Sequence, residues 1–208
     1  MGDALTIRVL QFNVHGMRAG TGPVARAIGS HAPDIACLQE VDRPRALARA
    51  SKMHWAGVHR FGTGHRVGVL SRERPETVER VRLSRTRGLA PRAAALVRWR
   101  GVWFASVHLG LDAGERARHV QQLLDHIGAR APLVLAGDWN EHSGTATDLL
   151  RARYTEATKD SGPTFPAHAP RVRIDAVYVG EGVVVDEVTV GGYDTASDHR
   201  ALVIVARI

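Results

Sequence analysis

The chain has 208 residues, of which 44% are hydrophobic and 24% are charged. This composition is that of an ordinary globular protein, and it excludes collagen-like, coiled-coil and wholly disordered classes. The 28 basic residues, nearly all of them arginines, exceed the 21 acidic residues and give a net charge of +7. Such a charge suits an anionic partner, either nucleic acid or lipid headgroups, although a GC-rich genome alone would give the same arginine content. We expect a single domain over residues 1–208, acting as a monomer.

Three features bear on where the chain works. No apolar run approaches the roughly 20 residues needed to cross a bilayer, and the first seven residues lack the basic and apolar regions of a secretion signal. The single cysteine, Cys37, lies in the apolar run at residues 34–38, so we interpret it as a small core residue. Together these features predict a cytoplasmic protein without a transmembrane segment.

Apolar runs of strand length follow one another along the chain, separated by a few helix-like stretches. In chain order, the predicted strands cover residues 5–12, 34–40, 67–71, 93–99, 102–108, 132–137, 172–179, 183–190 and 201–208. A short helix is predicted over residues 23–32, and the glycine-rich turn at residues 62–64 is interpreted as a hairpin loop. Because strands outnumber helices, the pattern predicts a sheet-rich α/β protein.

The clearest helix is predicted over residues 112–130. Asp112 can cap its first turn, and Glu115 follows three residues later, as in a capping box. Its apolar face consists of Ala117, Val120, Leu124 and Ile127. The histidines interpreted as surface residues are His119, His126 and His142.

The segment of residues 72–100 is rich in arginine, with nine arginines against three glutamates. Two interpretations stay open. The segment is either a solvated strand pair with charged outer faces or an edge that contacts phosphates.

Polar residues recur where the predicted strands end. They are Asn13, Glu40, His108, Asp138 with Asn140, Asp175, and Asp198 with His199. Because strand ends at one edge of a sheet meet in a single crevice, residues far apart in sequence can build one site there.

The chemistry of this set is coherent. Carboxylates and an amide oxygen are hard ligands that suit Mg²⁺ or Mn²⁺, and histidines can act as general acid, general base or donor to an oxyanion. The chain has no cysteine–histidine cluster or HExxH motif for zinc, and no glycine-rich nucleotide-binding loop follows a strand. Ser197, Asp198 and His199 are adjacent and cannot fold back into a serine-hydrolase triad.

The ordered set resembles the endonuclease/exonuclease/phosphatase superfamily. The matching segments are LQFNVHG at residues 10–16, IACLQEVD at 35–42, SVHLG at 106–110, LAGDWNEHSGT at 135–145, RIDAVYV at 173–179 and ASDHRALV at 196–203. The resemblance implies a four-layer α/β sandwich, in which two mostly antiparallel sheets pack face to face with helices outside. It also implies metal-assisted cleavage of a phosphoester by water.

The resemblance further implies a role for each residue of the set. Glu40 would be the main ligand of a divalent cation, Mg²⁺ or alternatively Mn²⁺, assisted by Asn13 and Asp198. Asp138 and Asn140 would orient the water or the phosphate.

The remaining roles concern protons and charge. His199 would act as base or contact the phosphate, held in its tautomer by Asp175, and His108 would stabilise phosphoryl charge or help to protonate the leaving group. Asp138 and His199 both remain candidates for the base. His15 stands where AP endonucleases often carry a second acid, which argues against that branch.

The sequence therefore predicts a divalent-metal-dependent phosphodiesterase acting on nucleic acid or on phospholipid headgroups. A lipid substrate requires an exposed apolar rim, for which the aromatic candidates are Trp55, Phe61 and Trp139. The alternatives are a phosphomonoesterase, with Arg92 or Arg171 on the terminal phosphate, and a non-catalytic polyanion-binding module of the same fold.

Overall fold

The computed structural model describes residues 4–58, 66–192 and 194–208. The strands of these residues are β1 (Thr6–Asn13), β2 (Ile35–Val41), β3 (His54–Gly57), β4 (Arg66–Ser71), β5 (Thr77–Arg82), β6 (Ala93–Trp99), β7 (Val102–His108), β8 (Leu133–Asp138), β9 (Thr155–Glu156), β10 (Asp175–Val179), β11 (Val184–Val190) and β12 (Leu202–Arg207). The α-helices are α1 (Thr21–Ser30), α2 (Pro44–Ser51), α3 (Ala113–Ile127) and α4 (Thr145–Arg151).

The strands form two six-stranded sheets. The first has the order β11-β12-β1-β2-β4-β3, and the second has the order β5-β6-β7-β8-β10-β9. β1 pairs with β2 in parallel, as β7 does with β8, and the other paired strands run antiparallel. This confirms the predicted pair of mostly antiparallel sheets.

Three apolar clusters account for the layers. One cluster joins the facing sides of the two sheets and includes Ile7, Cys37 and Phe104. A second lies between the first sheet and helices α1 and α2, and a third between the second sheet and helices α3 and α4. The molecule is therefore the four-layer sandwich that the sequence predicted, and Cys37 is a buried core residue whose pKa burial raises to about 12.

The facing sides of the sheets change from apolar to polar towards one end. Along β1, Ile7 and Val9 belong to the cluster between the sheets, and Gln11 and Asn13 continue the same face two and four residues further on. β7 repeats the pattern with Phe104 followed by Ser106 and His108, and β8 with Val134 and Ala136 followed by Asp138. One end of the core between the sheets is therefore lined by polar side chains.

Several elements differ from the sequence-based prediction. α2, α4, β3, β5 and β9 were not predicted as separate elements, because each is short or buries few apolar residues. The strand predicted over residues 172–179 begins only at Asp175, since Val172 forms an isolated bridge with Phe165. The loop predicted at residues 62–64 lies outside the described residues.

Helix α3 confirms the predicted cap, because the Asp112 side chain accepts a hydrogen bond from the Glu115 N–H at 2.7 Å. The prediction that His119 lies on the surface is wrong. Its side chain is fully buried, and its Nε2 lies 2.7 Å from the carbonyl oxygen of Ser84, a partner contributed by a distant segment. His126 and His142 are exposed, as predicted. No helix of the described ranges is long and apolar enough to span a membrane.

Candidate active site

Strand pairing brings the predicted residues of the second sheet together at its polar end. His108 of β7 pairs with Asp138 of β8, and Asp138 pairs on its other side with Asp175 of β10. The side chains of all three are almost completely buried. The second sheet therefore places an imidazole and two carboxylates side by side, as expected from their strand-end positions.

Asp138 lies at the centre of this cluster. Its Oδ2 accepts a hydrogen bond from the Asn13 amide at 2.9 Å and lies 3.5 Å from His108 Nε2 and 3.8 Å from His199 Nε2. Its Oδ1 accepts from the backbone N–H of Asn140 at 3.0 Å. Burial, together with the charge of the neighbouring Asp175, raises the pKa of Asp138 despite these donors.

Asp175 holds His199. The Nδ1 of His199 lies 2.8 Å from Asp175 Oδ2, which also accepts from the Thr164 hydroxyl at 2.6 Å. Burial lowers the pKa of His199, but the negative charges of Asp175, Asp138 and Asp198 outweigh it, so that the pKa is raised overall. Because carboxylates face both ring nitrogens, this arrangement favours the imidazolium form.

A buried amide network beneath Asp175 was missed by the sequence analysis. Gln11 donates to Asp175 Oδ1 at 3.1 Å and exchanges reciprocal amide hydrogen bonds of 2.8 and 2.9 Å with Gln39. Gln39 also donates to the Ser106 hydroxyl, which donates to the Leu38 carbonyl. The signal was present, because these residues precede the predicted site residues by one or two positions on the same strands.

His108 lies beside an arginine. Nη1 of Arg92 is 3.1 Å from Nδ1 and 3.0 Å from Nε2 of His108. Burial lowers the pKa of Arg92, an effect that the negative charges of Asp138, Glu40 and Glu115 oppose. Arg92 therefore places a guanidinium group beside His108, where it feels the negative charge of the neighbouring carboxylates.

The first sheet contributes Glu40 through an irregular backbone. A register shift in the β2–β4 pairing lies between Leu38 and Val41, and Glu40 has a φ of +56°. A non-glycine residue in this left-handed region costs about 1–2 kcal/mol, and such strain is concentrated at functional sites. The irregularity turns Glu40 towards Asn13, whose amide donates to its Oε1 at 3.4 Å.

Asp198 and His15 complete the rim on the other side of Asn13. His15 Nδ1 lies 3.3 Å from Asp198 Oδ1, and both side chains are about one third exposed. The Ser197 hydroxyl donates to the Asn13 carbonyl and accepts from the His199 N–H, which fixes this loop beside β1. A cavity of about 260 Å³ lies next to these residues and includes His168 in its lining.

The side-chain chemistry suits a divalent cation. Asp138, Asp175 and His199 could hold one, since each offers a ligand atom and these atoms lie within 4.8 Å of one another. However, both oxygens of Asp175 already accept hydrogen bonds, from Gln11, Thr164 and His199. Carboxylates nearer the rim, Glu40 and Asp198, leave more room for a hard cation with bound water.

One sequence-based interpretation of an aromatic residue needs correction. Trp139 cannot contribute to an exposed apolar rim, because it is fully buried, donates its indole N–H to the Ala176 carbonyl and packs edge-on against Tyr178. Trp55 is half-buried, and Phe61 lies outside the described residues.

Asn140 also has a structural partner. Its side-chain amide donates to the Leu109 carbonyl at 3.0 Å, and its φ is +51°. This bond ties the loop after β8 to the end of β7, and the Asn140 N–H remains directed at Asp138.

Comparison with known proteins agrees with the fold. The model of the endonuclease/exonuclease/phosphatase family matches residues 10–199, and the chain belongs to this family, whose members are divalent-metal-dependent hydrolases of phosphoester bonds. No curated protein gives a significant sequence match.

Solved structures show the same fold at low sequence identity. An endonuclease/exonuclease/phosphatase from Beutenbergia cavernae DSM 12333 has a TM-score of 0.78 at 22% identity, covering 98% of this chain and 72% of that one. A functionally unknown conserved protein from Enterococcus faecalis V583 has a TM-score of 0.84 at 21% identity, covering 97% and 100%. D. rerio TDP2, complexed with single strand DNA product, has a TM-score of 0.74 at 17% identity, covering 98% and 99%.

Proposed function

We propose that this protein is a divalent-metal-dependent phosphodiesterase that directs water at phosphorus. The observation that carries the proposal is the convergence of two buried carboxylates, two imidazoles and a guanidinium at one end of the sandwich, next to the half-exposed Glu40. Phosphodiester hydrolysis places extra negative charge on the phosphoryl and leaving oxygens, which such cationic groups stabilise.

We assign the cation site to Glu40, with Asn13 and Asp198 beside it. The Asn13 amide N–H group lies between Glu40 Oε1 and Asp138 Oδ2, a position where two carboxylates attract positive charge. The Oδ1 of Asn13 accepts a hydrogen bond from the His15 N–H at 3.0 Å, so the direct ligands would be the carboxylate oxygens of Glu40 and Asp198. Carboxylate ligands favour Mg²⁺, with Mn²⁺ as an alternative. When bound, the cation would supply charge stabilisation and lower the pKa of a water molecule.

We assign the role of general base, the group that takes the proton from the attacking water, to Asp138. Its Oδ2 faces the crevice between His108 and His199, and Asn140 and Asn13 hold the carboxylate in place. His199 is less suited to the role of base, because carboxylates at both ring nitrogens keep it protonated. It instead donates a hydrogen bond to a phosphoryl oxygen, with Asp175 fixing the proton on Nδ1.

His108 and Arg92 act on the developing charge. The guanidinium of Arg92 beside His108 supplies a positive charge next to the phosphoryl oxygens, and His108 is placed to help protonate the leaving oxygen. Asn140 orients Asp138 through its backbone N–H. A phosphomonoester substrate would also use Arg92, so that function remains the second candidate.

The test is hydrolysis of bis-p-nitrophenyl phosphate with Mg²⁺, Mn²⁺ or EDTA, with Glu40→Gln as the variant. We expect turnover with Mg²⁺ or Mn²⁺, none with EDTA, and a loss of at least about a hundredfold in the variant, since one transition-state charge contact contributes several kcal/mol. Cleavage of p-nitrophenyl phosphate but not of the diester would favour the phosphomonoesterase. Silence towards both esters would favour the polyanion-binding module.

A further inference from the structure

A second cavity, of about 450 Å³, lies next to the segment that follows Glu40. Its described lining includes Asp42, Arg43, Arg45, Arg49, Trp55 and Arg66. Asp42 follows Glu40 by two residues, so their Cα atoms are at most about 7.6 Å apart. One residue that lines the cavity is therefore close in the chain and in space to the proposed cation ligand.

The described lining of the cavity carries a net positive charge. Of the described residues that line it, four are arginines and one, Asp42, is acidic. Arg45 and Arg49 are four residues apart on helix α2 and so lie on the same helix face. The Arg66 guanidinium donates to the Asp42 carbonyl, which fixes one of the arginines that line the cavity. This arrangement is suited to phosphate oxygens.

The cavity also contains an aromatic platform. Trp55 of β3 lies across the paired glycines Gly57 and Gly68 of β3 and β4. A Cβ on Gly57 would lie 2.4 Å from Trp55 Cζ2, and one on Gly68 would lie 2.5 Å from the same atom. The two glycines therefore leave the space that the indole occupies, and the strand pair supports the ring from one side while Trp55 lines the cavity.

We propose that this cavity binds an unpaired nucleobase stacked on Trp55, with the flanking phosphates held by the arginines of α2 and by Arg66. The inference rests on the proposed function and selects single-stranded nucleic acid as the substrate class. Every base has a π-face that can stack on a tryptophan, and a positively charged groove beside such a platform is how proteins bind single strands without sequence preference.

A lipid surface fits the cavity less well. The exposed large hydrophobic residues of the described ranges are Leu111, Val172 and Val184, and none of them lines this cavity. A membrane-binding rim needs such side chains to enter the acyl region. An arginine-lined cavity with one supported indole is suited to a flat aromatic ring between phosphates.

The experiment measures binding of a fluorescein-labelled single-stranded DNA decamer in EDTA, where turnover is prevented. The second probe is an abasic decamer of equal charge, and the third is a set of phosphatidylserine-containing vesicles. The variants are Trp55→Leu and the double variant Arg45→Ala/Arg49→Ala. The matched controls are Trp103→Leu, at the end of β7 away from His108, and Arg153→Ala, just after helix α4.

We expect Trp55→Leu to weaken binding of the DNA decamer about tenfold or more and to leave binding of the abasic decamer unchanged, since stacking needs the base. Trp55→Phe should restore part of the affinity, which separates stacking from a folding defect. The double arginine variant should weaken binding of both decamers and reduce the slope of log affinity against log salt by about 1.4, at about 0.7 per phosphate contact.

Wild-type-like binding of the DNA decamer by folded Trp55→Leu, or equal losses for both decamers, would overturn the proposal. If the protein binds the vesicles but not the DNA decamer, the surface around the cavity would be a membrane-binding surface instead. Turnover of bis-p-nitrophenyl phosphate separates the two proposals, because this small ester does not fill the cavity. If the wild type turns over the ester but Trp55→Leu binds the DNA decamer as tightly as the wild type does, only the proposal for the cavity fails. If the wild type does not turn over the ester, the catalytic proposal fails, whatever the binding experiment shows.

Discussion

Replacing Asp175 by asparagine tests how the carboxylate controls His199. The carboxylate accepts hydrogen bonds from His199 Nδ1 at 2.8 Å, the Thr164 hydroxyl at 2.6 Å and the Gln11 amide at 3.1 Å. An asparagine has the same shape but only one acceptor oxygen, so its NH₂ group must face one of these donors. The side-chain amide of Gln11 cannot flip by itself to present its oxygen instead, because reciprocal hydrogen bonds hold it to Gln39.

The expected cost follows from these contacts. A buried donor left without an acceptor costs about 1–3 kcal/mol, and loss of a hydrogen bond between charged groups costs about 1.5–3 kcal/mol. If roughly 3–5 kcal/mol of this total is lost from the transition state, activity falls by about two to four powers of ten. Thr164→Val removes one hydrogen bond but keeps the negative charge, so we expect it to reduce activity only about five- to tenfold.

The assay is the pH dependence of bis-p-nitrophenyl phosphate hydrolysis, with thermal melting to verify folding. Asp175 helps to raise the pKa of His199, so that in Asp175→Asn the imidazolium loses its proton at lower pH. If the protonated form acts in catalysis, the alkaline limb of the profile should move to lower pH. A folded Asp175→Asn protein with activity within fivefold of wild type, or with an unmoved alkaline limb, would refute the reasoning.

Two further predictions concern stability, measured by urea unfolding. Burial lowers the pKa of His119, so the unfolded chain takes up a proton there first, and the free energy of unfolding should fall as pH decreases through about 6.5. His119→Gln should remove this part of the pH dependence, whereas the exposed His126→Gln should not. Gly110→Ala would place a methyl group 2.1 Å from Oε2 of Glu115. Because the Glu115 side chain is buried and accepts a hydrogen bond from the Thr86 N–H, it is not free to move aside, and we expect a destabilisation of about 1–3 kcal/mol. Gly29→Ala, with nothing within 4 Å, should stabilise helix α1 by up to about 1 kcal/mol. Equal effects of the two histidine variants, or of the two glycine variants, would contradict the respective account.

The run lengths predicted a sheet-rich α/β protein, and the four-layer sandwich followed from the resemblance of the ordered motifs to a known superfamily. Apolar and polar residues alternate at the start of β1, and β8 is a short apolar run that ends at Asp138; both patterns can be recognised without tertiary information. Strand pairing then brings His108 and Asp138, the last residues of their strands, together with Asp175, the first residue of β10. The metal and catalytic roles of these residues remain predictions.

The features that the sequence did not predict depend on tertiary contacts. The alternation of β2 does not by itself direct Glu40 towards Asn13, since this requires the register shift and the positive φ. His119 resembled a surface histidine because the partner that permits its burial, the Ser84 carbonyl, lies 35 residues earlier. β5 was not predicted as a separate strand because Val81 is its only buried residue.

The polar end of the core explains why the site needs so many supporting residues. A buried carboxylate is costly unless donors surround it, and Asp175 receives them from Gln11, Thr164 and His199. Each of these donors is held in turn, as Gln11 is by Gln39, so the network specifies one arrangement of the charged groups. The apolar residues on the same strands stabilise the opposite end, and the sandwich can therefore tolerate a strained, charged edge. For the same reason, changes in the supporting amides should reduce activity before they unfold the protein.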